Sequence, residues 1–353
     1  MSPTADGSGA VVPGSTDRAE FEADTRAHRQ LYWTTEPAEL IATVTGHIAA
    51  GRTLSAGAGD AAGADAPSED GEDGEDGGDR TDGAADGAGT AAALAESLLL
   101  VGRLELLGRH DPEAARPVLQ EARTTAVAAG EPLLAAAALG LLALVPADGR
   151  AGAAAESFTA ARSLLAHAGT GAAGLLDWLE AVEAERATRD GEHEKAIRLI
   201  SRVEGARVRS DDRPFPPWLD WCTTARIGIL KGRIQLAAGL VAQARRTLLY
   251  AMATVRPDDH GQRALIYAGL AAAEAADGQA YESCGYACRA LEHIEAGGDV
   301  MGVRGGLEEY LHDSCVQDLY ESLAFSPAES VAPADIGEVT RRGTGAGRTP
   351  GIR

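Results

Sequence analysis

Apolar positions along this chain recur at intervals of three and four, and no stretch alternates with the period of two that a strand requires. Leu40, Ile41, Val44 and Ile48 set the pattern early. They follow Thr35, whose hydroxyl suits a helix cap, and Pro37, which suits a first helical turn. The segment before them, from about Asp17 to Trp33, carries Phe21, Leu31 and Tyr32 on its apolar side. From Ala91 the helical spacing continues to about Phe325. Asp111-Pro112, Gly130-Glu131-Pro132, Pro146, Gly149, Gly191, Pro214 to Pro217, Gly239, Pro257 and Gly278 punctuate it as stops and starts. The pattern predicts an all-α chain of short helices joined by tight turns.

The separating glycines also mark a register. At plus five, plus nine and plus twelve, Gly149 is followed by Ala154, Phe158 and Ala161, and Gly191 by Ala196, Ile200 and Val203. Gly239 is followed by Ala244, Leu248 and Ala251, and Gly278 by Ser283, Ala287 and Ala290. Ala115, Leu119 and Ala122 form an approximate earlier copy. In each set the first small residue lets two helices of a pair approach. The large one fills the space between pairs, and the last small one lets the next pair stack. Gly232, ahead of Gly239, is a further small position. The spacing resembles the second helix of a tetratricopeptide repeat. The copies start 42, 48 and 39 residues apart (149 to 191 to 239 to 278), longer than the usual period of about 34. The expected fold is a degenerate, tetratricopeptide-like solenoid of helical hairpins.

Composition divides the chain. Residues 1–16 and 326–353 are small, polar and Gly/Pro-containing, and are expected to be disordered. Residues 17–53 form a first helical pair and 91–325 the repeat domain. Between them, 54–90 is built from Gly, Ala, Asp and Glu and reads as an acidic disordered linker. From Asp60 to Asp86 there are 11 acidic residues and one basic residue, about half of the net charge of −21. So acidic a chain argues against nucleic acid as a direct ligand. Four scattered cysteines, no signal-peptide pattern and no apolar run longer than Leu133 to Val145 point to a cytoplasmic protein that does not enter a membrane.

The chain also resembles the regulatory repeat domain of actinobacterial Xre-type helix-turn-helix regulators. The motifs that carry the likeness are His28-Arg29-Gln30-Leu31-Tyr32-Trp33 followed by Pro37-Ala38-Glu39-Leu40-Ile41, the Asp-Pro start at Asp111 to Ala115, and the turn at Ala126 to Glu131. Trp218 to Trp221 and Arg263 to Leu265 extend it. The resemblance covers about 18–325 apart from the acidic segment. It implies control of gene expression or development through a bound peptide or partner regulator. The 16 leading residues have no room for a DNA-binding unit, so that part of the family's function is not expected here. A sensor acting with a separate DNA-binding subunit, or a small-molecule-binding helical domain, is the alternative.

The first helix of each pair should line the inner face. Projecting the register back from Gly239 puts Arg226, Ile229 and Arg233 there; from Gly191 it puts Trp178, Ala181 and Glu185 there. Arginines in a groove suit a carboxylate or an acidic peptide, and Trp218 and Trp221 are candidate aromatic anchors beside them. The expected partner is a protein or peptide, with a homodimer left open. Gly169 to Gly174 matches a dinucleotide-binding string but follows a helix where that fingerprint needs a strand, so no cofactor is expected. Cys284, Cys288, His312 and Cys315 could bind a metal only if their helices converge, and no metal is assigned. No nucleophile, phosphate-loop or zinc-protease motif occurs, and a non-catalytic role follows.

Overall fold

A computed structural model describes residues 18–32, 34–63, 80–146, 152–169, 171–209, 215–219, 222–297 and 304. Among these there is no strand. The helices are α1 (Arg18–Leu31), α2 (Pro37–Gly63), α3 (Arg80–Arg103), α4 (Pro112–Ala128), α5 (Pro132–Leu142), α6 (Ala153–Leu165), α7 (Ala172–Arg189), α8 (His193–Arg209), α9 (Thr224–Ala237), α10 (Val241–Thr254), α11 (His260–Ala276) and α12 (Ala280–Gly297). A π-helical turn, Leu104–Gly108, extends α3, and a short 3-10 turn, Pro217–Leu219, precedes α9. The helices pack as consecutive hairpins, α1 with α2 through α11 with α12, and each odd-numbered helix also touches the next odd-numbered one. The fold is an all-α helical-hairpin repeat with the odd-numbered helices as a continuous inner layer.

Local chemistry sets the helix ends. Asp111, Thr223 and Asp259 cap α4, α9 and α11, each side chain accepting from the backbone N–H three residues on, at 2.9, 3.1 and 3.0 Å. The turn after α7 shows how the hairpins close. Gly191 adopts φ 77°, which costs glycine nothing. The N–H of Glu192 then reaches back to the Ala187 carbonyl at 2.8 Å. The same bond recurs from Glu131 to Ala126, Leu240 to Gln235 and Gln279 to Glu274, each at 2.8 Å.

Packing follows the register of small and large residues. The triads of α4, α8, α10 and α12 are buried throughout, as are Phe158 and Ala161 of α6; Ala154 alone is half-buried. Leu248 of α10 shows why the pattern is needed. A Cβ on Gly232 of α9 would lie 2.6 Å from Leu248 Cγ, and one on Gly269 of α11 would lie 3.0 Å from its Cδ1. One leucine thus fills the gap between two successive inner helices. Leu119 of α4 does the same over Gly102 of α3, at 2.5 Å from the missing Cβ. In α12 the small position is Ser283, whose buried hydroxyl donates to the Ala271 carbonyl of α11 at 2.8 Å. Helix α5 is apolar on every side and buried along Leu134 to Leu141, as expected of a helix inside the stack. No described helix is long and apolar enough to cross a membrane.

The acidic segment differs from its expected outline. Helix α2 continues to Gly63 and α3 begins at Arg80, so both ends of 54–90 are helical. Alanine-rich sequence extends an existing helix at little cost because nucleation has already occurred. The C-terminal part of the overlap is also anchored: Thr90 is buried, and Gly89 lies against the Glu22 carboxylate of α1. Residues 64–79 lie outside the described residues, as do 1–16, most of 298–325, and 326–353.

Helix α1 closes the first end of the stack. Phe21 is fully buried and stacks on His47 of α2, ring centroids 4.0 Å apart. The Thr25 hydroxyl donates to the Phe21 carbonyl at 3.0 Å and lies 2.8 Å from His47 Nε2 and 3.3 Å from Ser97 Oγ of α3. Arg29 pairs with Glu96 at 2.7 Å. Burial, and then the neighbouring His28, push His47 down to about 4 against the opposing charge of Asp24. Burial also lowers His28 against Asp24.

Replacing Gly232 with valine should cost about 1–3 kcal/mol through overpacking against Leu248, read as a lower urea midpoint with helical content retained; an unchanged midpoint would remove the wedge argument. The histidines give a second expectation. A histidine whose folded pKa is lowered binds its proton more readily in the unfolded chain. Stability is therefore greatest above the ordinary value of 6.5 and declines as pH falls toward about 4. Urea midpoints measured across that window should fall less steeply in His47→Gln. Equal slopes would exclude His47 as a cause.

Candidate functional site

Two inner helices present the same spacing to one another. Helix α7 offers Trp178, Ala181, Val182 and Glu185; α9 offers Arg226, Ile229, Leu230 and Arg233. Both sets run i, i+3, i+4, i+7, the residues that share one face of a helix. Between them lies a cleft of about 70 Å³. Its remaining walls come from Leu141 and Leu144 at the end of α5, from Arg103 and Leu107 at the end of α3, and from Cys222 ahead of α9.

Five expected site residues therefore meet: Trp178, Glu185, Arg226, Ile229 and Arg233. Trp178 and Ile229 are nearly fully buried and form walls, while Glu185, Arg226 and Arg233 are half-buried. Trp218 goes elsewhere. It closes a second, smaller cavity of about 20 Å³ with Thr25, Arg29, Tyr32, Glu96, Ser97 and Arg103. The 3-10 turn that carries it packs beside α1 and α3, a contact that depends on the path of the long connection and not on helical period. Trp221 lies outside the described residues.

Sequence reasoning missed Arg103, which borders both cavities. It is buried, its guanidinium lies 4.0 Å from the Tyr32 ring centroid, and its Nη2 donates to the Tyr32 hydroxyl at 2.5 Å. The signal was present: Arg103 is the single basic residue in the apolar run from Leu98 to Leu107. A buried cation in such a run needs a specific partner, and Tyr32, just after α1, supplies one.

The charges in the cleft are unequal in number. Burial would push the Glu185 carboxyl up, but Arg189, Arg233 and Arg226 outweigh it and hold the group below the usual carboxylate range. Glu185 is thus ionised, and Arg189 donates to it at 2.6 Å. That bond engages Glu185 from within its own helix. Arg226 Nη1 is buried with no hydrogen-bond partner among the described residues. Its position is also unfavourable for the helix alone. Thr223 caps α9 through the Arg226 N–H, which places this cation in the first turn, where the helix dipole disfavours positive charge and favours an anion. The arrangement fits reception of negative charge beside an apolar wall. Among the cleft's described lining residues Glu185 is the single carboxylate and none is a histidine.

Other candidates separate. The Gly169 to Gly174 string joins two helices: Gly169 and Gly171 take positive φ, and α7 begins at Ala172. Cys284 is buried and Cys288 exposed on α12, while His312 and Cys315 lie outside the described residues. Burial, then Cys288, pushes the Cys284 thiol up. Among the described residues no group of three or more His, Cys, Asp and Glu is arranged to hold a metal ion.

Gly140 of α5 sets the position of the tryptophan wall. A Cβ there would lie 2.7 Å from Trp178 Cζ3 and 2.7 Å from Leu179 Cδ2. Gly140→Val should displace Trp178, shift the tryptophan emission and cost about 1–3 kcal/mol. Native emission with native stability would show that the wall does not depend on this contact.

In comparisons with known proteins, no family model matches the chain, and no curated protein and no solved structure matches it either.

Proposed function

We propose that this protein is a non-catalytic regulatory scaffold that binds a protein or peptide partner in the groove of its inner helices. The observation that carries this reading is the convergence of Trp178, Ile229, Arg226 and Arg233, from two successive hairpins, on one cleft. A rigid apolar wall beside Arg226, whose buried Nη1 has no hydrogen-bond partner among the described residues, is the anatomy of an anchor site, where a few desolvated groups dominate binding. The small–large–small register and the motifs near Tyr32, Asp111 and Trp218 support a tetratricopeptide-type regulatory domain similar to that of Xre-type regulators. A role in transcriptional or developmental control follows from that likeness.

The test is capture from native extract on the intact chain, with wild type and Arg226→Glu/Arg233→Glu side by side. The double variant should keep its helical content and unfolding midpoint. It should lose its specific partner by at least about tenfold in affinity, the scale expected when charge complementarity is reversed. Equal capture by both proteins would remove the groove from the account.

A further inference from the structure

The size, charge and polarity of the cleft narrow what enters it. Its volume is about 70 Å³, roughly half of an engineered apolar cavity of about 150 Å³ that accepts benzene. A branched aliphatic group of about four to five carbons suits the space. Leu141, Leu144, Trp178 and Ile229 give that group an apolar wall. Arg226 and Arg233 stand on the other side, and a guanidinium is a planar fork that matches a carboxylate. Arg226 Nη1 is buried and has no hydrogen-bond partner among the described residues, so an incoming oxygen completes its bonding. Glu185 does not compete for it fully, being held by Arg189 at 2.6 Å.

The same inventory argues against other anions. Phosphate carries more charge and more hydration than a carboxylate, and an apolar wall replaces none of that hydration. The last residue of a peptide brings an amide N–H next to its carboxylate. Apart from Glu185, already engaged, the lining side chains are arginines, hydrocarbons and the weakly accepting Cys222 thiol. Among the described lining side chains that N–H finds no strong acceptor. A free acid has no such group.

We propose that the cleft binds a short, branched aliphatic monocarboxylate as a small-molecule effector, its carboxylate on Arg226 and Arg233 and its alkyl group against Trp178 and Leu144. This rests on the reading of the cleft as the partner-binding groove, and it makes the acid a competitor of that partner.

Isothermal titration of the intact chain with 4-methylpentanoate tests it, with 4-methylpentanamide, N-acetyl-leucine and inorganic phosphate as the other probes. The acid should bind saturably with one site per chain. The amide should bind at least about tenfold more weakly, the effect of removing charge-assisted hydrogen bonds. N-acetyl-leucine and phosphate should also be weaker than the acid. Arg226→Gln/Arg233→Gln should lose the preference for acid over amide while keeping the wild-type helical content. The comparison of acid with amide on the wild-type chain stands even if that variant misfolds. Absence of saturable binding at millimolar acid overturns the proposal, and so does equal binding of acid and amide. Tighter binding of N-acetyl-leucine overturns it in favour of a peptide C-terminus, and tighter phosphate in favour of a phosphorylated ligand.

The competition is read separately. A protein captured by wild type but not by Arg226→Glu/Arg233→Glu should be eluted by the acid and not by the amide. If it is captured in that way but resists the acid, the groove reading survives and the effector role falls. If capture ignores the arginines, the groove reading itself falls.

Discussion

The distance between the helices of neighbouring hairpins governs this molecule. Leu248 occupies the space left by the absent side chains of Gly232 and Gly269, and Leu119 the space left by Gly102. A gap of about 0.5–1 Å already forfeits a quarter to a half of a dispersion contact, so a leucine seated against bare helix backbone holds two inner helices at one separation. Small residues at Ala244, Ala251 and their counterparts let the outer helices follow without a gap. With aromatic residues scarce, the stack relies on many such close approaches in place of a few large side chains.

The cleft is a product of that spacing. Because α7 and α9 stand in corresponding places, positions 48 residues apart, Trp178 with Arg226 and Glu185 with Arg233, belong to one face-to-face set. Leu141 of the apolar α5, with Leu144 just after it, closes one side. In such surroundings an arginine attracts an anion more strongly than it would on an open surface. An ionised Glu185 tempers this field without cancelling it, since Arg189 takes part of its charge. Arg226 gives up a favourable place on its own helix for a place in the cleft, a local conflict of the kind that accompanies binding sites.

The N-terminal hairpin belongs to the same system. Tyr32, just after α1, holds Arg103 through its ring and its hydroxyl, and Arg103 borders the cleft. The docking of α1, secured by Phe21 and the Thr25–His47–Ser97 cluster, thus fixes a cation of the site from beyond the helices that build it. The end cover of the stack and the binding cleft share one side chain.

What the sequence by itself determined is whatever depends on a helix's own geometry. Period, the helix start at Asp111, the glycine-closed turns and the buried triads were legible, because a residue's face on a helix is fixed by its number alone. The faces that carry Trp178, Glu185, Arg226, Ile229 and Arg233 were legible for the same reason. Composition misjudged the ends of α2 and α3, where alanine prolongs a helix already begun. Only the tertiary structure decided that these faces enclose a cavity of one side chain's size, that Arg103 enters it on the far side of Tyr32, and that Trp218 turns toward α1. Those outcomes depend on contacts between residues distant in the chain, and helical period says nothing about which distant faces meet.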